Sequence, residues 1–217
     1  MADEHYSIAF EIARDLLSIG AVTFSPKRPF SWASGLRSPI YCDNRRTMGF
    51  PVIRRAITSG FALTLSHESL SPTRIVGTAT AGIPHAAWLA DSLGLPMAYV
   101  RSKAKAHGKG NQIEGPLEVG ETVVVIEDLV STGMSSVAVV KALQQFGVKV
   151  GAVLAIFSYG LPQAKTAFSQ ANVELHTLTN FEAMLTVAQG TGALNPDAVT
   201  SLMAWHCDPV GWSKSVL

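Results

Sequence analysis

Val123-Val124-Val125-Ile126-Glu127-Asp128-Leu129-Val130-Ser131-Thr132-Gly133 passes from four β-branched residues in a row to two carboxylates and then to a Ser-Thr-Gly turn. An unbroken apolar run of this kind reads as a strand buried on both faces, the signature of a parallel sheet. The acids arrive where that strand should end. Beyond Gly133, Val137, Val140 and Leu143 recur at helical spacing with Ala138 and Ala142 among them, and Gly147 closes the pattern. The stretch reads strand, acids, turn, helix. A helix start behind a glycine turn presents backbone amides to an anion, and a phosphate is the ligand it suits. Two carboxylates beside it would repel that phosphate unless they do something else. They can accept hydrogen bonds from sugar hydroxyls or hold a hard cation such as Mg2+.

Outward from this segment the alternation repeats. Strands are expected over 74–78, 97–101, 121–127, 150–157 and 173–178, with helices over 82–93 and 162–170 and a long loop over 102–120. Such an order implies an α/β protein with a mostly parallel, doubly wound sheet and right-handed crossovers. Upstream, Ile8, Ile12 and Leu16 mark one face of a helix over 4–18, which stops near Gly20. Residues 22–44 are aromatic and turn-rich, with strand-like alternation over 39–43, and form a small hood beside the main sheet. Pro51 opens a helix through about residue 65, as proline does in a first helical turn. Downstream, 181–188 and 198–205 read as helices. The expected division is an N-terminal helix and hood, residues 1–48, and an α/β core with C-terminal helices, residues 49–217, within a single domain.

Composition narrows the function classes. The 217 residues are 47% hydrophobic and only 15% charged, which excludes a disordered chain and points to extensive burial, a subunit interface included. A net charge of +1 supplies no global field to recruit nucleic acid. Two cysteines, Cys42 and Cys207, are too few for a disulfide framework and fit a reducing compartment. The start, Met1-Ala2-Asp3-Glu4-His5, lacks a signal peptide's basic and apolar regions, and no apolar run is long enough to span a membrane. A cytoplasmic protein with no membrane or nucleic-acid partner is expected. The histidines share no metal-ligand spacing with one another or with the cysteines, so no protein-held metal is expected.

The string Glu127-Asp128-Leu129-Val130-Ser131-Thr132-Gly133, set between strand and helix, resembles the phosphoribosyl-diphosphate (PRPP) motif of type I phosphoribosyltransferases. The resemblance implies that Glu127 and Asp128 take the ribose hydroxyls. It also implies that Leu129, Val130, Ser131, Thr132, Gly133, Met134 and Ser135 cradle the 5-phosphate. Arg101-Ser102-Lys103-Ala104-Lys105-Ala106-His107-Gly108-Lys109 packs four permanent cations and a histidine into the loop after a strand. Positive charge is what a departing diphosphate needs, because negative charge grows on its oxygen as the bond breaks. This run is similar to the catalytic loop of orotate phosphoribosyltransferases, and Arg101, Lys105 and His107 carry over as diphosphate-handling residues. Many members have Lys where Ser102 stands, with Lys103 here one place later.

A second string sharpens the resemblance. Phe30-Ser31-Trp32-Ala33-Ser34-Gly35-Leu36-Arg37-Ser38-Pro39-Ile40-Tyr41-Cys42-Asp43 is similar to the F-x-L-x-S-G-x-x-S-P-x-Y-x-D signature that helps form the orotate pocket in that family. Ala79-Thr80-Ala81-Gly82-Ile83-Pro84 matches a turn whose backbone meets the diphosphate, with Ala81 where a Lys is common. Tyr159 stands where many relatives place an Arg toward orotate; together with Ser131 it is the expected orotate contact. The resemblance implies transfer of ribose 5-phosphate from PRPP to orotate in pyrimidine biosynthesis. It further implies Mg2+ carried mainly by the substrate, and a homodimer whose cationic loop reaches across the interface. Two alternatives stay open: a phosphoribosyltransferase for another nucleobase, and a non-catalytic PRPP-binding regulator.

Overall fold

The computed structural model describes residues 2–32, 35–102 and 112–216. The chain forms two compact units, one made of Met1–Gly49 with Thr179–Leu217 and the other of Phe50–Leu178. The first unit begins with helix α1 (Ala2–Ser18), which buries Ile12, Ala13 and Leu16 on one stripe. Two short antiparallel ribbons follow. Strand β1 (Val22–Phe24) pairs with β4 (Ile40–Cys42), and β2 (Phe30–Ser31) pairs with β3 (Arg37–Ser38). The expected alternation is there: Ile40 and Cys42 point inward while Tyr41 between them is exposed.

The second unit is the α/β core. Helix α2 (Pro51–His67) opens on its proline and buries Ile53, Ile57, Phe61 and Leu65, one residue per turn. Then come β5 (Arg74–Thr78), α3 (Gly82–Leu93), β6 (Met97–Val100), β7 (Ile113–Glu114), β8 (Thr122–Val130), α4 (Met134–Phe146), β9 (Lys149–Ser158), α5 (Pro162–Gln170) and β10 (Glu174–Asn180). The strands lie in the order β10-β9-β8-β5-β6-β7. β5 pairs in parallel with β6 and β8, and β8 with β9, while β7 runs antiparallel to its neighbour β6. This is the mostly parallel α/β sheet expected. Val123 to Ile126 are each no more than 1% exposed, as a strand covered on both faces requires.

Three features differ from the sequence reading. β8 does not stop at the acids. It continues through Val130 because β9 is equally long, so that Leu129 and Val130 still find partners in Phe157 and Ser158. The loop over 102–120 contains β7, two residues that the sequence does not distinguish from their polar surroundings. The C-terminal helices, expected with the core, group instead with the N-terminal unit. These are α6 (Phe181–Gly190), α7 (Pro196–Cys207) and α8 (Pro209–Ser215). The physical reason lies in their contacts. α6 packs on α1; the fully buried Trp205 of α7 donates its indole N–H to the Arg37 carbonyl at 3.2 Å, and the Arg37 amide donates to Ser213 Oγ of α8 at 2.9 Å.

Candidate active site

The site grows out of the unequal lengths of β5 and β8. Their pairing ends at Gly77 opposite Ile126, while β8 runs four residues further. The chain leaving β5 turns through Ala79-Thr80-Ala81, and α3 begins directly against the backbone of β8. Gly82 makes this approach feasible: a methyl there would collide with the Ile126 carbonyl oxygen and press on the Glu127 Cα. The second glycine of consequence is Gly133. It precedes α4 at φ 79°, a left-handed conformation, and a Cβ on it would lie 3.0 Å from the Phe168 ring of α5. Neither α3 nor α4 carries a side-chain cap at its start. The first-turn amides of both helices lack intrahelical carbonyl partners, and their positive ends flank the acids.

Adjacent in sequence, Glu127 and Asp128 have different surroundings. Glu127 is 5% exposed. Its Oε1 accepts the Asp128 amide at 3.1 Å, and its Oε2 accepts the Ser136 hydroxyl at 3.0 Å. Burial, followed by the neighbouring charge of Asp128, pushes the Glu127 carboxyl up to about 8. Asp128 is only half-buried, and its side chain hydrogen-bonds with Glu127. One acid is therefore locked and easily protonated, the other more exposed.

The remaining expected residues divide. Ser131 and Thr132 are half-buried, and Met134 and Ser135 are exposed at the start of α4. Leu129 and Val130 belong to the strand. The Val130 side chain is buried in the core, and its carbonyl accepts the Tyr159 amide at 3.1 Å. The Tyr159 ring is 2% exposed and stands edge-on to Phe157, with centroids 5.0 Å apart. Arg101 sits at the carboxyl end of β6. Its amide donates to the Gln112 carbonyl at 2.9 Å, and its guanidinium lies 3.5 Å from Glu114 Oε1. These contacts and the β6–β7 pairing tie the two ends of the cationic loop together. A cavity of about 100 Å³ lined by Thr78, Ala79, Arg101, Gln112 and Ser135 joins this loop base to the cradle. Lys105 and His107, the other two expected diphosphate residues, lie outside the described residues.

Two polar residues here escaped the sequence reading. Ser136 is fully buried, and the only hint was a second serine after Ser135 where an apolar helix face begins. His85, one turn into α3, stands edge-on to Trp88, and burial lowers its pKa to about 4, so it is neutral. Among the described residues no group of three His, Cys, Asp or Glu could hold a metal ion. These residues build no cage for a cation, and a Mg2+ here would take most of its shell from substrate oxygens and water.

A family model for the phosphoribosyl transferase domain matches residues 55–178. The orotate phosphoribosyltransferase of Listeria innocua is 50% identical over 208 residues, 96% of this chain and all of that one. That of Bacillus pumilus is 52% identical over 200 residues, covering 92% and 94% of the two chains. The crystal structure of orotate phosphoribosyltransferase from Aeropyrum pernix superposes with a TM-score of 0.73 at 29% identity, over 85% of this chain and 99% of that one. With a strand, two acids, two uncapped helix starts and a cationic loop base in the arrangement described, and with near-complete matches at half identity, the chain belongs to the orotate phosphoribosyltransferase family.

Proposed function

We propose that this chain transfers the ribose 5-phosphate of PRPP to orotate, giving orotidine 5-phosphate and diphosphate for pyrimidine biosynthesis. The observation that carries the reading is the Glu127–Asp128 pair at the end of β8, set between the starts of α3 and α4. Asp128 and Glu127 accept the ribose hydroxyls. Ser131, Thr132, Gly133, Met134 and Ser135 hold the 5-phosphate on α4's amides, and Ser131 also faces the base. The Ala79–Gly82 turn offers its backbone to the diphosphate, and Arg101, Lys105 and His107 take up its charge as it departs. Magnesium, when bound through PRPP's own oxygens, neutralises part of the diphosphate charge. The reaction breaks the bond from the anomeric carbon to the diphosphate oxygen and forms one to orotate N1, whose proton is lost. No covalent enzyme intermediate is needed, so catalysis is positioning and charge stabilisation.

The proposal extends to a cytoplasmic homodimer in which the cationic loop of one subunit serves the partner's site. No described helix is long and apolar enough to cross a membrane. The test of the activity is loss of orotate absorbance with PRPP and Mg2+, run beside adenine, hypoxanthine and uracil. Turnover with orotate alone is the expected result. Turnover confined to another base would replace the substrate, and PRPP binding without any turnover would favour a regulator.

A further inference from the structure

Ser136 and Glu127 form a buried polar contact in the core unit. Both side chains are buried, at 0% and 5% exposure, and the hydroxyl donates to Oε2 at 3.0 Å. The carboxylate's other oxygen is already held, at 3.1 Å, by the amide of Asp128. Two donors, one on each oxygen and coming from different elements, define the plane of the carboxylate. The Asp128 side chain hydrogen-bonds with this carboxylate as well, and a carboxylate's roughly four lone-pair sites still leave room for a further donor. Ser136 lies in the first turn of α4, whose amides form the phosphate cradle, so this bond ties the sugar-binding acid to the helix that binds the phosphate.

We propose that Ser136 is a positioning residue for Glu127: its hydroxyl fixes the carboxylate plane so that the remaining acceptor capacity faces a ribosyl hydroxyl of PRPP. The inference rests on the reading of Glu127 as a ribose-binding acid. A buried carboxylate beside a second carboxylate is disposed to take up a proton, and a protonated Glu127 presents a donor where the sugar also presents one. A hydroxyl donor favours the charged form and opposes that tendency. Methyl-sized side chains at 136 would fit the same space but leave Oε2 without its partner.

The test compares Ser136→Ala and Ser136→Cys with wild type in steady-state kinetics across pH, each variant first checked for an unchanged melting curve in the presence of PRPP and Mg2+. In Ser136→Ala, KM for PRPP should rise by roughly tenfold to a hundredfold, the range for a lost hydrogen bond to a charged group. kcat should change much less, and the acidic limb of kcat/KM for PRPP should move to higher pH. The weaker thiol donor of Ser136→Cys should give an intermediate result. In a Glu127→Gln background the alanine substitution should cost little more, because no carboxylate remains to be positioned. An unmoved pH profile, or an equal penalty in both backgrounds, overturns the proposal and leaves Ser136 a packing residue. If Glu127→Gln by itself binds PRPP as wild type does, the assignment of Glu127 to the ribose fails and the proposal falls with it. The two failures are thus distinguishable.

Discussion

The two acids of the site answer to different tests because one is partly exposed and the other enclosed. Asp128 is half-buried, and in the proposed reaction it accepts ribosyl hydrogen bonds that an amide can only partly replace. Asp128→Asn should retain the fold and reduce turnover by about a hundredfold or more, the scale of losing a stabilising group in the reacting geometry. Wild-type turnover at saturating PRPP would remove Asp128 from the site. For Glu127 the clearer readout is stability without substrate. Its carboxyl titrates at about 8 in the fold against 4.5 ordinarily. A group with a raised folded pKa contributes stability that is fully present below its ordinary value and lost as pH rises through the folded one. The unliganded protein should therefore lose stability between those two values, and Glu127→Gln should flatten that decline. The variant should melt above wild type at alkaline pH, with the gap closing in acid. PRPP binding should show the opposite slope, strengthening as pH rises, because the ionised acid is the acceptor. Parallel melting curves for the two proteins at all pH values would contradict the assignment.

At the scale of elements, the site depends on where strands stop, and this was the least legible part of the sequence. The run 123–126, the helix periodicity after Gly133 and the alternation from residue 74 onward specify each core strand and helix through hydrophobic pattern. The extra length of β8 depends on pairing with β9, a relation between distant segments that no local pattern carries. β7 is two residues long and exists because Tyr99 and Val100 offer it an edge. The acids and the turn before α4 stand out in the sequence because they follow the apolar run 123–126, and Arg101 because it follows β6 directly. Ser136 does not, because its partner is nine residues away and its role appears only when α4 folds back on β8. The contact between α3 and β8 gives an element-level prediction. Gly82→Ala must push the helix start away from Ile126 and Glu127, at a cost of about 2 kcal/mol or more, as for other overpacked sites. Activity should fall beyond what the remaining folded fraction explains, since both acids and the diphosphate turn share this junction. An unfolding midpoint equal to wild type would show that the junction relaxes without cost.

For the whole molecule, the question is whether one chain suffices for one site. Its low charge and high apolar content suit a subunit interface, and exposed Val52 and Leu63 lie along the same helix, α2. The proposed dimer with crossing loops makes a prediction that neither an active monomer nor a self-contained subunit shares. Lys105→Ala should lower kcat far more than it weakens PRPP binding, by roughly tenfold to a thousandfold, because the leaving group's charge is greatest in the transition state. Asp128→Asn disables the other half of the site. In a mixed dimer of these two variants, a loop that crosses the interface places both defects in one site and leaves the other with an intact lysine and an intact aspartate. Mixing the nearly inactive parents under conditions that exchange subunits should then restore up to about a quarter of wild-type activity. That limit applies when half the dimers are mixed and each has one working site, with random pairing. A loop that serves its own chain would give no recovery, because each subunit would keep its own defect. Subunit exchange can be followed independently with differently tagged chains, so exchange without recovery places the loop in cis. Light scattering that finds a fully active monomer removes the dimer altogether.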